Sequence, residues 1–144
     1  MILIIVLSVI LLDQTTKFLA LRFLQLHTPV PLIKNFLNLT LVHNRGAAFG
    51  LLQNQLLLFV LISLFAVGLI IYSLKSKANS IILKLSLSLI LGGAIGNLID
   101  RLRFGFVVDF LDLRVWPVFN IADSVITLAA VALTWELLFN KNAA

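Results

Sequence analysis

Four long apolar runs dominate this chain and restrict what it can fold into. They occupy roughly residues 2–24, 56–74, 81–99 and 119–139, and each is about long enough to cross a hydrocarbon core of about 30 Å. In lipid every backbone polar group must be bonded internally, so each run is predicted to be a helix. With 61% hydrophobic and 12% charged residues, the chain is too apolar for a soluble domain.

Composition excludes several function classes. The net charge of +5 is spread among the apolar runs, with no basic helix to follow a phosphate backbone, so we expect contact with anionic lipids and no nucleic-acid partner. The absence of cysteine excludes thiol chemistry and disulfides. The two histidines, His27 and His43, are interpreted as solvated residues of a polar loop. The first run lacks a basic start and a cleavage site, which indicates a retained span.

The two long links carry the rest of the fold prediction. Residues 25–55 contain the alternation Leu37-Asn38-Leu39-Thr40-Leu41, which predicts a strand in a small sheet on the membrane surface. Lys75 to Ser80 is predicted to be a short turn. The fold class is therefore an all-α integral membrane protein of four spans with a small sheet, in a single domain over residues 1–144.

With four crossings, the ends of spans one and three, the start of span four and both long links share one membrane face. Five of the six carboxylates lie there, and ionisable groups at membrane depth are candidates for function. The polar residues predicted at this face are Asp13, Lys17, Asn44, Arg45, Gly46, Asn97, Asp100, Arg101, Asp109 and Asp123. The opposite face, with Lys75, Lys77, Lys84, Glu136 and Lys141, is interpreted as a solvated rim.

Asp109 and Asp123 are the candidate catalytic pair. Two carboxylates that meet in apolar surroundings share one proton, so that one activates water while the other protonates a leaving amine. The spacing alone leaves alternatives open. Asp123 could instead be a helix N-cap, and Asp109 could be an ion-pair partner of Arg101 or Arg103.

Other short motifs carry both a functional and a structural interpretation. Asp13 and Lys17 are four residues apart and can pair on one helix face, either as support for a site or as a neutralised pair. Asn44 opens a loop, 44–50, that could approach a substrate or be a plain turn. Asn97 and Arg101 are again four apart and face one side. Gly92 to Gly96 predicts close helix packing, and Trp116 and Trp135 mark the two membrane interfaces.

Taken together, four segments resemble the bacterial lipoprotein signal peptidases (type II signal peptidases). They are LDQTTK (12–17), HNRGAAFG (43–50), GGAIGNLIDRLRFGFVVDFLD (92–112) and FNIADS (119–124), in the family's order. The resemblance implies a four-helix aspartyl endopeptidase with a small extracytoplasmic β-cradle. It implies cleavage of diacylglyceryl-modified prolipoproteins just before the lipidated cysteine.

The resemblance also implies residue roles. The catalytic dyad falls on Asp109 and Asp123, and no metal or organic cofactor is expected. The supporting residues implied are Asp13, Lys17, Asn44, Gly46, Asn97, Asp100, Arg101, Asn120 and Ala122. We expect a monomeric, multi-pass protein of the bacterial cytoplasmic (inner) membrane that contacts membrane lipids and has its active site at the extracytoplasmic face.

Charge bias runs against that orientation. Lysine and arginine are more frequent at the predicted catalytic face than at the other, which by the positive-inside rule would place the catalytic face in the cytoplasm. Three other functions are weighed against the peptidase. An ion relay would require a path of polar residues that reaches both membrane faces. A scaffold protein packed through its glycines would leave the aspartates unexplained. A protease of the GxGD type would require a Gly-x-Gly-Asp motif, which this sequence does not contain.

Overall fold

The structure, a computed structural model, describes residues 1–46, 52–75 and 80–139. Four helices in this part are long and apolar enough to cross a membrane. They are α1 (Ile2–Phe23), α2 (Leu56–Leu74), α3 (Ile81–Phe104) and α4 (Ile121–Phe139), and the three strands are β1 (Val30–Ile33), β2 (Leu37–Asn44) and β3 (Val107–Asp112). The predicted class, four spanning helices with a small sheet, is confirmed.

Two span ends differ from the sequence prediction. The third span was predicted to end at residue 99, but α3 continues to Phe104, where Gly105 adopts a left-handed φ of 77° and its N–H bonds the Arg101 carbonyl. The fourth was predicted to start at residue 119, but Asn120 lies outside the helix and its side-chain oxygen accepts the Asp123 N–H at 2.9 Å. An asparagine in this role caps the orphan amides of a helix start.

α3 is the central helix of the bundle, and half of the residues in its most apolar stretch are buried. Glycines allow the close approach: a Cβ on Gly92 would lie 2.8 Å from the Cβ of Val9 on α1, and one on Gly93 would lie 2.9 Å from the Ala122 carbonyl on α4. The prediction of a small-residue packing face is confirmed. By contrast, no residue of the most apolar stretch of α2 is buried within the described chain.

The sheet is antiparallel in the order β1-β2-β3 and packs against the end of α1. Ala20 of α1, Leu41 of β2 and Val108 and Phe110 of β3 form its buried core. The alternation at residues 37–41 therefore predicted β2 correctly. β3 was treated as part of a link, because its sequence VVDFLD is buried on both faces over its first four residues and does not alternate.

Two predictions about polar residues were wrong. Glu136 is only 3% exposed, and it accepts a 2.6 Å hydrogen bond from the Ser80 hydroxyl. It therefore does not belong to a solvated rim. His43 lies in β2 and is half-buried, with its ring stacked on Phe106 at a centroid distance of 3.9 Å. Parts of the predicted loop 44–50 and of the predicted turn 75–80, together with Lys77 and Lys141, lie outside the described residues.

Candidate active site

The candidate catalytic pair meets in a cavity of about 770 Å³ at one end of the bundle, between the end of α3, the start of α4 and the sheet. Both Asp109 and Asp123 line it. The other lining residues are His27, Val42, His43, Asn44, Arg45, Gly46, Gln53, Asn54, Asn97, Arg101, Val107, Trp116, Pro117, Val118, Phe119 and Thr127.

Asp109 lies in the middle of β3, opposite Val42 of β2. Its two carboxylate oxygens accept hydrogen bonds from different asparagines: the Asn44 amide at 2.9 Å and the Asn120 amide at 2.7 Å. The strand itself is anchored one residue earlier, where the Val108 N–H donates to the Asp100 carboxylate at 3.0 Å. Asp109 is therefore held in a fixed orientation by three different segments of the chain.

Asp123 lies in the first turn of α4. The Asn97 amide of α3 donates to its Oδ1 at 2.8 Å, and the Asn120 N–H approaches its Oδ2 at 3.4 Å. Because the Asn120 side chain caps the helix in return, the two residues form a reciprocal capping pair three residues apart. The N-cap alternative for Asp123 is thus wrong in position, since Asn120 is the cap.

Asn97 and Asn120 connect the two aspartates. The Asn120 amide donates to the Asn97 side-chain oxygen at 3.2 Å as well as to Asp109, while Asn97 donates to Asp123. Through these two side chains the carboxylates of β3 and α4 belong to one hydrogen-bond network. In the described part of the chain Asp109 forms no ion pair, so the alternative pairing with Arg101 or Arg103 is not observed.

The pKa of Asp109 is raised from its ordinary value to about 7. Burial is the main cause, and the nearby Asp123 carboxylate adds to it. The hydrogen bonds from Asn44 and Asn120 and the charge of Lys17 oppose the shift. The Asp109–Asp123 pair can therefore keep one proton up to about neutral pH.

Beneath the dyad, Lys17 contacts a second pair of carboxylates. Its Nζ lies 2.8 Å from Asp13 Oδ2 and 2.9 Å from Asp100 Oδ2, and it donates to the Asn97 oxygen at 2.8 Å. All three charged side chains are almost completely buried. The predicted pairing of Asp13 with Lys17 is confirmed, and Asp100 shares the same ammonium group.

This charged cluster fixes the elements that carry the dyad. Asp13 accepts the Ala122 N–H at 3.0 Å and so holds the start of α4, while Asp100 holds β3 through Val108. Ala122 enters the site through its backbone only. Gly96 leaves room for the cluster, since a Cβ there would lie 2.5 Å from Asp13 Oδ2.

Gln14 is a part of this cluster that the sequence prediction missed. Its amide donates to Asp100 Oδ1 at 2.9 Å and to Asp13 Oδ2 and the Gly96 carbonyl at 3.2 Å each. It therefore bridges the two carboxylates that share Lys17. The available signal was its position directly after Asp13 inside the motif LDQTTK.

The remaining predicted residues lie at the rim of the cavity. Arg101 lines the cavity with its guanidinium carbon 5.3 Å from the centre of the Phe59 ring. The Gly46 N–H donates to the Asn44 side-chain oxygen at 3.0 Å, which orients the Asn44 amide toward Asp109. The pKa of His43, also at the rim, is lowered by burial and by the charges of His27 and Arg45.

A second hollow, of about 540 Å³, runs along the outer surface of α4, and none of its lining residues is ionisable. Within residues 1–46, 52–75 and 80–139 no group of three or more histidine or carboxylate side chains is arranged to hold a metal ion. The dyad cavity is therefore the candidate site, and its chemistry is that of two coupled carboxylates.

Comparison with known proteins agrees with this chemistry. Residues 5–139 match the family model described as signal peptidase II. The chain is 48% identical over 134 residues to the lipoprotein signal peptidase of Halothermothrix orenii, covering 92% of each chain. It is 47% identical over 137 residues to that of Moorella thermoacetica, covering 94% of this chain and 91% of the relative.

A solved structure is similar as well. A bacterial membrane enzyme determined by the in meso method at 2.3 Å resolution superposes with a TM-score of 0.91 at 32% identity, over 97% of this chain and 90% of that one. The match of nearly the whole chain to the family model, together with two coupled aspartates at the end of a four-helix bundle, identifies the family. This chain belongs to the signal peptidase II family of aspartic peptidases.

Proposed function

We propose that the chain removes signal peptides from diacylglyceryl-modified prolipoproteins, cutting the peptide bond just before the lipidated cysteine. The observation that carries this proposal is the pair Asp109 and Asp123, both lining one cavity and joined through Asn97 and Asn120. The charge of Asp123 contributes to the raised pKa of Asp109, which supports a coupled pair.

The proposed mechanism assigns one proton to the pair. Asp123, at the N-terminus of α4, is ionised and removes a proton from the attacking water. Asp109, protonated below its pKa of about 7, donates a hydrogen bond to the scissile carbonyl oxygen and stabilises the oxyanion that water attack produces. When the tetrahedral intermediate collapses, the C–N bond breaks, the carbonyl re-forms and the Asp109 proton passes to the leaving amine. The proton taken from water stays on Asp123, so the pair again holds one proton.

The surrounding residues have supporting roles in this proposal. Arg101 and Asn44 line the cavity and would hold the substrate backbone or the intermediate. Asn97 and Asn120 orient the dyad, and Asp13, Lys17 and Asp100 hold the segments that carry it. Gly46 orients Asn44, and Ala122 contributes its backbone N–H. We assign no metal or organic cofactor a role.

The proposal includes the setting of the reaction. A lipidated cysteine keeps the scissile bond near the membrane surface, and the dyad lies at one end of the bundle, where water can reach it. We infer that this end faces the extracytoplasmic side of the bacterial cytoplasmic (inner) membrane. We further infer that residues 1–144 act as a single, monomeric peptidase domain.

A cleavage assay tests the reaction and the dyad together. Purified protein is incubated with a diacylglyceryl-modified prolipoprotein, and cleavage is followed by a gel shift. Asp109→Asn and Asp123→Asn should each lower the rate by about 10²–10⁴, the contribution of positioned acid–base groups. Asp112→Asn is the matched control: it lies on the same strand but bonds Thr40, so cleavage should continue. Normal cleavage by a folded dyad variant would refute the dyad assignment.

Orientation can be measured separately because the chain contains no cysteine. Single cysteines at Asn35, in the β1–β2 turn, and at Lys75, at the opposite end, are treated in intact cells with a maleimide that does not cross membranes. Labelling of the first alone supports an extracytoplasmic site. Labelling of the second alone would reverse the orientation.

A further inference from the structure

The acidic and basic side chains of this protein are distributed very differently between interior and surface. The chain has six carboxyl side chains, and none of them is exposed. The buried ones are Asp13, Asp100, Asp109 and Glu136, and the half-buried ones are Asp112 and Asp123. The fully exposed charge of the described surface is therefore positive.

Most of that exposed positive charge lies at the dyad end of the bundle. Five exposed cations come from five separate segments that reach this end: Arg22, Lys34, Arg45, Arg103 and Arg114. None of the five forms an ion pair within the described residues, where the ion pairs join Lys17 to Asp13 and Asp100. At the other end Lys75 is exposed and Lys84 is half-buried.

Apolar side chains accompany two of these cations at the edges of the sheet. All four residues of β1, the edge strand, are exposed, with Leu32 at 62%, and Phe36 after the turn is 60% exposed. Lys34 lies between them. An exposed apolar edge strand is a liability in water, and Pro31 removes only one of its N–H donors. This hairpin therefore has a surface that suits a partly apolar environment.

The other edge of the sheet, after β3, also places exposed apolar side chains beside an exposed cation. After β3, Arg114 adopts a left-handed φ of 68° and its N–H donates to the Asp112 carboxylate at 2.8 Å. This turn presents Val115, 92% exposed, and Trp116, 58% exposed, beside the Arg114 side chain. Tryptophan and arginine together are typical of a membrane headgroup region.

We propose that the two edges of the sheet, Leu32–Phe36 and Arg114–Trp116, form a docking surface for anionic phospholipid headgroups. The apolar side chains enter the boundary of the acyl chains, and Lys34 and Arg114 bind the phosphates. The position of the sheet supports this proposal. The sheet packs on the end of α1, and because α1 spans the membrane, the sheet lies at the level of the headgroups. Charge complementarity favours an anionic lipid over a neutral one.

Of the residues of this surface, only Trp116 also lines the dyad cavity, and the surface binds a phospholipid headgroup instead of the scissile peptide. It fixes the height of the sheet above the bilayer, and the sheet carries Asn44 and Asp109. The positive-inside rule would place the end with more lysine and arginine in the cytoplasm. Lipid binding in the leaflet at the dyad end then explains why these cations are more frequent there. The inference can fail without affecting the peptidase proposal, because its tests do not measure cleavage.

The natural fluorescence of Trp116 provides the first test. The chain has two tryptophans, so Trp135→Phe leaves Trp116 as the single reporter in the reconstituted full-length protein. Quenching is compared between bilayers containing brominated phosphatidylglycerol and brominated phosphatidylcholine. We expect phosphatidylglycerol to associate preferentially, and Arg114→Gln to reduce the preference about fivefold, the effect of one cation near a charged membrane surface.

Two further variants separate charge from shape. Arg114→Lys should keep the preference, since it keeps the charge, and Lys75→Gln, at the opposite end, should leave it unchanged. Equal quenching by the two lipids in the parent protein would overturn the proposal. So would a Trp116 that neither lipid quenches, because this face would then lie in water and be open to a protein partner.

A spin label tests the hairpin independently. Leu32→Cys and Phe36→Cys are labelled in liposomes containing phosphatidylglycerol, with Leu128→Cys on α4 as the lipid-exposed reference. Both hairpin labels should collide with dissolved oxygen far more than with a water-soluble nickel complex, as the reference does. Labels at both hairpin positions that are as accessible to nickel as a label in solution would overturn the proposal.

Discussion

Two pairs of aspartates lie at the same end of this bundle and have opposite environments. Asp13 and Asp100 share the ammonium group of Lys17, with both Nζ–Oδ2 distances below 3 Å. Asp109 and Asp123 receive their hydrogen bonds, within the described chain, from amides of asparagine residues. An ammonium ion compensates a buried negative charge with a full positive charge, whereas a neutral amide stabilises it only through a hydrogen bond.

The difference separates structural from reactive carboxylates. Asp13 and Asp100 hold the backbone of α4 and of β3 through hydrogen bonds from Ala122 and Val108, and both contact the Lys17 ammonium group. Burial and the neighbouring Asp123 carboxylate oppose the ionisation of Asp109, so its pKa rises to about 7. The two pairs thus differ in their partners: an ammonium group contacts the first, whereas asparagine amides bond the second.

Removing the shared cation should have the largest effect on stability. Lys17→Met leaves two buried carboxylates without compensation, and we expect the free energy of unfolding to fall by about 3–5 kcal/mol. Unfolding in mixed detergent micelles measures it. Lys34→Met, at an exposed lysine, is the control and should stay within about 0.5 kcal/mol.

The same comparison predicts a rescue. If the loss comes from uncompensated charge, the triple variant Lys17→Met/Asp13→Asn/Asp100→Asn should be more stable than Lys17→Met alone. A triple variant that is less stable than the single one would mean that the hydrogen bonds of the two carboxylates matter more than their charge.

A smaller change crowds the charged cluster without altering its charge. Gly96→Ala places a methyl group 2.5 Å from Asp13 Oδ2, and we expect a loss of about 1–3 kcal/mol in unfolding free energy. Gly68→Ala on α2 is the matched control, because its Cβ meets no atom within 4 Å. That variant should be neutral or slightly stabilised, and equal losses in both would show that crowding is not the cause.

The rate of cleavage should depend on pH through the dyad. Since one proton must remain on the pair, the rate of cleavage should fall about tenfold per pH unit above about 7, where Asp109 ionises. The pKa of Asp109 is raised on folding, so its contribution to stability is present at acid pH and is lost as pH rises toward 7. A pH–rate profile checks the first statement, and a rate that stays constant through the alkaline range would contradict it.

The smallest expected effect is a shift of that profile. Asn44→Ala removes a hydrogen bond that favours the charged form of Asp109, so the pKa of Asp109 should rise further and the alkaline limb should move to higher pH by about one unit or less. Asn38→Ala, on the same strand, is the control and should leave the limb in place. A shift to lower pH would show that the Asn44 bond favours the protonated acid.

Sequence alone determined the membrane helices and the face on which the polar groups gather. Four apolar runs and the parity of four crossings suffice for this, because lipid forces helical hydrogen bonding and each crossing reverses direction. The segments LDQTTK, HNRGAAFG and FNIADS indicated the family as well. The alternation at residues 37–41 predicted β2, in which Leu39 and Leu41 pack in the core of the sheet.

Only the tertiary structure decided how the carboxylates divide into two pairs. Asp100 meets Lys17 across 83 positions of the sequence, and Gln14 bridges Asp13 and Asp100 from α1, which no local spacing can encode. The burial of Glu136 and the strand around Asp109 were also decided there. Charge state depends on burial and on neighbours in space, and these are properties of packing between segments far apart in the chain.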